Sequence, residues 1–407
     1  TPGGYNSHGP PAGTPAAAAP HRVSNDHHFE RCPGMLYTLA SGRFSIMSRF
    51  RISITRRSEP GRWFAAGTVC AAIGFGFVLA GCLFALGGVN PLTAIARIIM
   101  GSFGSLYGLK ETLTKSIPLI LCSSGLILAF RARFWNIGAE GQLLAGAVGA
   151  TFIALRSDGI PGSLVIPAMF VAGAVCGAFW AWIPGILRFR LGVNEVISTL
   201  MLNYIIAEFV QYLVYGPWKG SQQFGFPYTD NFHADAVLTT FPGSRIHLVT
   251  LGIALICAAL VWMVMHHTTF GFSVRAAGES SGAARYAGIH AGRVTVAAVA
   301  IGGAMAGLAG VGEVAGIHHH LSYPWSISSG YGYTAIIAAW LARLNPLTAI
   351  LSSIFLSGIL VGGDTIQTAM NLPAATVNVF NGAILFSLIG SEFFMSYRIR
   401  IQPKVVP

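Results

Sequence analysis

Residues 294–316 read VTVAAVAIGGAMAGLAGVGEVAG, 23 residues with a single ionisable side chain, Glu313. As an α-helix rising about 1.5 Å per residue, a run of this length crosses the roughly 30 Å hydrocarbon core of a bilayer. Working outward from it, similar apolar runs occur at 64–87, 113–131, 139–157, 163–187, 195–216, 247–267, 332–344, 347–363 and 375–397. The run at 332–344 is short and closes on Arg343-Leu344-Asn345-Pro346, which reads as a broken or re-entrant helix. The expected fold is an all-α integral membrane protein with about ten transmembrane helices.

Composition agrees. Only 39 of 407 residues are charged, 10% against roughly 25% in soluble domains. Glycine occurs 50 times, 53% of residues are hydrophobic and mean hydropathy is +0.62. A net charge of +11 would suggest nucleic acid in a soluble protein, but here the basic residues lie between apolar runs and form no stripe, which excludes that class. The six cysteines are scattered, five of them inside apolar segments, so neither a disulfide framework nor a zinc site is expected.

Loop charge tests the count, because every span flips the side of the next loop. With a cytosolic N-terminus and ten spans, 19 Lys or Arg residues fall inside and six outside, namely Arg97, Lys110, Lys115, Arg156, Lys219 and Arg245. Both termini are therefore expected in the cytosol. The domain reading is a disordered basic extension over 1–62, a transmembrane domain over 63–397 with a cytosolic loop at 268–293, and a short cytosolic tail at 398–407. Residues 1–34 are rich in Gly, Pro, Ala and His and begin with Thr, and Met35 and Met47 precede the basic stretch Arg49 to Arg57. A start at Met35 or Met47 is expected, which N-terminal sequencing of native material would check. The first apolar run is too long for a cleavable signal peptide and has no small-residue cleavage site.

Small residues let membrane helices approach closely. Gly303-x-x-x-Gly307 and Gly312-x-x-x-Gly316 mark two such faces on the seventh run, as do Gly138, Gly141, Gly146 and Gly149 on the third. The hexapeptide NPLTAI occurs at Asn90 to Ile95 and again at Asn345 to Ile350. Six residues are too few to establish an inverted repeat, and coincidence is the favoured reading.

Polar side chains at membrane depth are costly unless they face a cavity or a partner. Asn136-Ile137-Gly138-Ala139-Glu140-Gly141-Gln142 places three of them beside two glycines, so a helix broken there would line a pathway. Asn194 and Glu195 open the fifth run, with Asn203 and Glu208 deeper in it; Glu313, Asp364, Asn378 and Asn381 occupy later runs. Such groups can hydrogen-bond a base edge or a sugar hydroxyl, while Phe134, Trp135, Tyr204 and Tyr333 offer faces to stack on. The alternative is interhelical bonding that holds the bundle together. That alternative is preferred for Glu195, and a pathway role for Asn136 to Gln142. His318-His319-His320 reads as an outer loop, because three adjacent histidines cannot readily converge on one ion. No nucleophile elbow, H-E-x-x-H pair or phosphate-binding loop is found in the sequence. Any ATP-driven process would need a separate ATPase touching the loop Gly271 to Ile289, in which Ser280 to Ala287 reads as a short helix capped by Ser280 or Ser281.

The stretches FRARFWNIGAEGQ (130–142), NEVISTLMLNY (194–204), Gly271 to Ile289 and GYGYTAIIAAWLARLNP (330–346) resemble the permease subunits of bacterial ABC importers of the branched-chain amino acid, ribose and nucleoside permease superfamily. NIGAEGQ followed by NEVISTLMLNY is similar to the nucleoside branch, and the resemblance covers about residues 62–397. It implies a multi-pass protein of the bacterial plasma (inner) membrane in a two-permease core, docked on ABC ATPase subunits that use ATP and Mg. It also implies delivery of ligand by an external binding lipoprotein of the basic membrane protein type, with no cofactor bound by this chain. The matching motifs carry substrate-pathway roles to Asn136, Glu140, Gln142, Asn194, Glu195 and Asn203. The loop from Arg275 to Ile289 corresponds to the coupling helix, assigning ATPase coupling to Arg275, Glu279, Ala284, Arg285 and Gly288. Trp340 and Ala342 depart from the expected small residues and the Gly before Arg343, which leaves local packing open. The implied function is nucleoside uptake. The alternatives are a permease for ribose or another simple sugar, an ion-coupled secondary transporter using Glu140, Glu208 or Glu313, and an integral membrane enzyme, disfavoured for want of a catalytic set.

Overall fold

The computed structural model describes residues 50–56, 61–86, 88–221 and 225–403. The low-complexity tail and both proposed start methionines lie outside these residues. The chain divides into two units, 1–53 with 399–407, and 54–398, the second holding all the described helices. Where the sequence reading expected a disordered extension and a plain tail, strands β1 (Phe50–Arg56) and β2 (Tyr397–Pro403) pair in a two-stranded sheet. FRISITR and YRIRIQ alternate apolar and polar residues, the period of a half-buried strand, which a search for long apolar runs passes over.

Fourteen α-helices follow β1 among the described residues. They are α1 (Arg62–Leu86), α2 (Pro91–Phe103), α3 (Leu106–Arg131), α4 (Ala139–Ala154), α5 (Gly162–Leu191), α6 (Glu195–Tyr215), α7 (Leu248–His267), α8 (Thr269–Glu279), α9 (Ser281–Tyr286), α10 (Ala291–Glu313), α11 (Pro324–Ser328), α12 (Tyr331–Leu341), α13 (Pro346–Ala369) and α14 (Ala374–Ser396). Eight of them are long and apolar enough to cross a membrane, which corrects the expected ten. The exceptions are the third and eighth expected spans, α4 with 16 residues and α12 with 11. Both begin where expected and end early, at Ala154 and Leu341, and each is set off from the helix before it. Residues 132–138 precede α4, and a stretch with His319, Ser329 and Gly330 at positive φ precedes α12. An additional short helix, α2, buries Ala94, Ile98 and Ser102 at a spacing of four and packs on α13.

At the centre α10 packs most extensively on α5, then on α3 and α4, while α14 covers α1. The contacts are glycine on glycine: a Cβ built on Gly146 would sit 2.3 Å from Gly307 Cα, and one on Gly177 2.3 Å from the Gly303 carbonyl oxygen. Gly312 and Gly316 instead seat the His247 imidazole, whose ring carbons would lie 3.4 and 2.5 Å from added Cβ atoms.

The repeated NPLTAI has a local meaning. Asn90 and Asn345 each cap a helix with the side-chain oxygen, accepting the N–H of Leu92 and Leu347 at 3.0 Å, with proline at the first helical position. Asn90→Ala and Asn345→Ala should each lower stability by about 1 kcal/mol. Because the two caps share no partner, thermal melts of the double variant in detergent should show the sum of the two losses.

Basic residues sort to two ends of the bundle. Arg131 donates to the Leu344 carbonyl through Nε (3.3 Å) and Nη2 (3.1 Å), and Arg188 to the Arg133 carbonyl (3.1 Å) at one end. Arg97 donates to the Ala369 carbonyl (2.7 Å), Lys110 to the Gly243 carbonyl (3.2 Å), and Arg245 faces Glu111 at 3.6 Å at the other.

Candidate functional site

The two discontinuous elements meet at one carboxylate. Glu140, in the first turn of α4, is fully buried, and its two oxygens accept the backbone N–H of Gly330 at 3.0 Å and of Gly332 at 2.7 Å, at the start of α12. A helix N-terminus carries unsatisfied N–H groups and a partial positive charge, so a carboxylate from a neighbouring helix both fills them and complements them. Gly332 has to be glycine for the approach, since a Cβ there would lie 2.2 Å from the Glu140 backbone nitrogen.

Beside it, the non-helical segment before α4 is held by amides. Asn136 and Gln142 exchange side-chain hydrogen bonds at 3.2 and 3.1 Å, and Asn136 Oδ1 also accepts the Gly138 N–H at 2.9 Å. From α6, Asn203 Oδ1 accepts the Gly141 N–H at 2.9 Å, while Asn203 Nδ2 donates to the Ile137 carbonyl at 3.0 Å and to Tyr333 Oη at 3.2 Å. Thr199 Oγ1 accepts the Ile137 N–H at 3.3 Å. Asn136, Gln142 and Asn203 are each 1% exposed and every polar side-chain atom among them has a protein partner. These residues, which the sequence resemblance assigned to the substrate pathway, occupy the subunit core and face one another. A buried network satisfied in this way fixes geometry.

The other two assigned residues lie at the bundle end. Asn194 is the exposed N-cap of α6, accepting the N–H of Val196 at 2.9 Å and Ile197 at 3.4 Å. Glu195 pairs with Arg188 at 2.6 Å, which matches its reading as an interhelical contact. Of the proposed stacking residues, Phe134 is buried beneath the Arg188 guanidinium at 5.3 Å, whereas Trp135 is 48% and Tyr204 51% exposed. Trp340 finds its packing here: its ring stacks on Trp135 at 5.5 Å and meets Phe130 at 5.6 Å.

The loop at 268–293 folds as an elbow. Helix α8 was read as loop, yet Thr268 caps it through the Gly271 N–H at 3.1 Å, and Ser280 caps α9 through the Ala283 N–H at 3.2 Å. The α8 end lies directly on α3, where a Cβ at Gly278 would be 2.0 Å from the Arg131 carbonyl oxygen. Gly288, at φ +76°, takes the left-handed position that closes α9, with the Ile289 N–H bonded to the Ala284 carbonyl. The five assigned coupling residues separate: Ala284 is buried, Gly288 is the cap, Arg285 is exposed on α9, and Arg275 and Glu279 turn from α8 toward Arg131. Tyr286 on α9, 97% exposed, is the residue the sequence reading missed.

Of the carboxylates considered for ion coupling, Glu208 is exposed and accepts from Gln211 at 3.1 Å, and Glu313 is buried 4.0 Å from His318. Glu140 is committed to α12. Asp364 pairs with Lys115.

Residues 108–389 match the family described as branched-chain amino acid transport system / permease component. The glucose ABC transporter permease protein TsgB13 of Haloferax volcanii is 35% identical over 356 residues, 85% of this chain and 92% of the relative. The nucleoside ABC transporter permease protein NupB of Lactococcus lactis subsp. cremoris is 34% identical over 323 residues, 77% of this chain and 88% of the relative. The guanosine ABC transporter permease protein NupP of Bacillus subtilis is 29% identical over 332 residues, covering 80% and 93%.

Proposed function

The chain belongs to the branched-chain amino acid transport system permease family, and from that premise we propose that it is the membrane-spanning subunit of an ATP-driven importer of nucleosides. It is a multi-pass membrane transport component that works with a separate ATPase and a substrate-binding partner. Our reading adds a second permease and an external lipoprotein, with both chain termini and the α8–α9 elbow on the cytosolic side.

The observation that carries the reading is the elbow. A six-residue helix with its own cap, exposed along Arg285 and Tyr286 and carried by an α8 that seats on the α3 end through Gly278, suits a groove on a soluble partner. Force on α9 passes to α8, and from there to the Arg131–Leu344 contact that joins the ends of α3 and α12. The buried amide and carboxylate network then has a mechanical role, since it fixes Tyr333 through Asn203, beside the exposed Tyr204. An exposed tyrosine ring, Tyr204, with the half-buried Tyr333 beside it favours a ligand with a flat base over a simple sugar. Two of the three relatives above are named for nucleosides and one for glucose, so sugar is the second reading.

Reconstitution of the chain with its ATPase and binding protein tests both. ATP-dependent nucleoside uptake that excess glucose or ribose does not compete supports the proposal; uptake of sugar alone, or uptake without an ATPase under an ion gradient, overturns it. The combined change Arg285→Glu and Tyr286→Ala should cut ATP-dependent uptake more than about tenfold, equivalent to 1.4 kcal/mol, with yield and melting temperature unchanged. Unaltered uptake would remove α9 from the coupling path.

A further inference from the structure

At the α8 end of the bundle a cavity of about 610 Å³ opens between the end of α3, α8 and α12. Small-molecule sites typically fall between about 300 and 1,000 Å³ and combine apolar walls with a few convergent polar groups. One wall here is aromatic, Trp135 stacked on Trp340 with Phe130 behind them. The other is charged, with Arg131, Arg133 and Arg275 set against one acid, Glu279. Among the described residues, the Arg133 and Arg275 guanidinium groups make no hydrogen bond or ion pair with the protein, whereas Arg131 is partly occupied by the Leu344 carbonyl.

Backbone conformation adds to this. Helices α3 and α12 both end in the same cap, in which the residue after the helix takes positive φ and the next N–H reaches back to close the turn. Glycine is usual at that position, yet here it is held by Arg133 (φ 52°) and Arg343 (φ 53°). A non-glycine residue is strained in this region. The first of these two arginines lines the cavity.

We infer that this cavity binds a phosphate-bearing ligand, its anionic group taken by Arg133 and Arg275 and its remaining part lying against Trp135. Arginine matches phosphate as a bidentate fork, and an exposed indole face accepts either a planar ring or the glycerol and acyl region of a lipid. Glu279 is placed to accept from a hydroxyl or ammonium of the same molecule. Occupancy would tie α8 to α3 and α12, the joint through which the elbow moves. The regulatory consequence rests on the function proposed above; the binding itself does not.

Binding is measured on the purified full-length chain in detergent, by equilibrium dialysis of adenosine 5′-monophosphate with adenosine as control. In parallel, tryptophan quenching by brominated phosphatidylglycerol is compared with quenching by brominated phosphatidylcholine. Saturable monophosphate binding, weakened at least about tenfold by Arg133→Gln or Arg275→Gln and by Trp135→Leu, supports a nucleotide as the source of the phosphate. Stronger quenching by the anionic lipid, lost in the same arginine variants, supports a phospholipid headgroup. Equal quenching by both lipids together with no monophosphate binding overturns the inference, as does binding that the arginine variants leave unchanged. Melting curves identify any variant that fails to fold, and Arg133→Lys, which keeps charge without the fork, should retain part of the binding. Nucleoside uptake by the whole complex is scored separately, so the transport reading can fail while the site stands, and the reverse.

Discussion

Glu140→Ala should leave little folded protein, and Glu140→Gln should be destabilised in the same direction. The carboxylate is fully buried, and the donors it accepts include the N–H groups of Gly330 and Gly332. Removing it strands both donors, at about 1–3 kcal/mol each, in a protein whose whole stability is of order 5–15 kcal/mol. Glutamine keeps one acceptor but turns an amide N–H₂ toward a backbone donor, so one hydrogen bond is replaced by an opposition. The check is a thermal melt and monodispersity in detergent, with uptake normalised to folded transporter. A Glu140→Gln protein as stable as the wild type yet unable to transport would mean that the carboxylate acts on substrate or on a coupling ion and does not brace α12.

An effect of similar size is expected from a single methyl group at the centre of the bundle. In Gly307→Ala the new Cβ would lie 2.2 Å from the Gly173 carbonyl oxygen and 3.2 Å from Gly177 Cα, and in Gly146→Ala 2.3 Å from Gly307 Cα. The obstructing atoms are backbone, so relief requires α5 or α4 to move away from α10, and the close packing that replaces a hydrophobic driving force inside a membrane is lost. Overpacking of this kind costs about 1–3 kcal/mol per site and more where the neighbour cannot yield. The matched control is Gly252→Ala in α7, where nothing lies within 4 Å. There the better helix propensity of alanine should leave stability equal or raised by up to about 1 kcal/mol. Comparable yields of folded Gly307→Ala and Gly252→Ala would show that the helices are not held at this contact.

Much of the architecture was legible because single-residue chemistry suffices for it. Long runs without charge have to be membrane helices, and α3, α5, α6, α7, α10 and α13 lie close to the runs that composition marked. The glycine pairs of α10 were visible as motifs, although only the fold tells them apart: Gly303 and Gly307 meet backbone, while Gly312 and Gly316 take an imidazole. Helices α2 and α8 were missed because both are too short for a spanning test and are recognised by caps and a four-residue spacing instead. The NPLTAI repeat looked like coincidence or ancestry, and its shared feature is the same helix start used twice.

For the candidate site, the sequence singled out residues by their cost at membrane depth, and the structure shows where their hydrogen bonds go. Polar side chains at membrane depth signal expense, and expense was read as a pathway. Asn136, Glu140, Gln142 and Asn203 instead spend their hydrogen bonds on one another and on backbone that two interrupted helices leave unpaired. The partners Gly330 and Gly332 stand 190 and 192 residues from Glu140. No local pattern can announce a bond of that range.

By itself the sequence determined that the chain is a helical membrane protein, how its basic loops group, and which residues are too polar for lipid, because each of these follows from the transfer free energy of single side chains. The tertiary structure decided which spans are interrupted, which glycines need to be bare, and that Arg275 and Glu279 line the cavity beside Arg131 while Arg285 and Tyr286 are exposed on α9. Those outcomes depend on which backbone groups meet across the bundle, a pairing set by packing among helices distant in sequence.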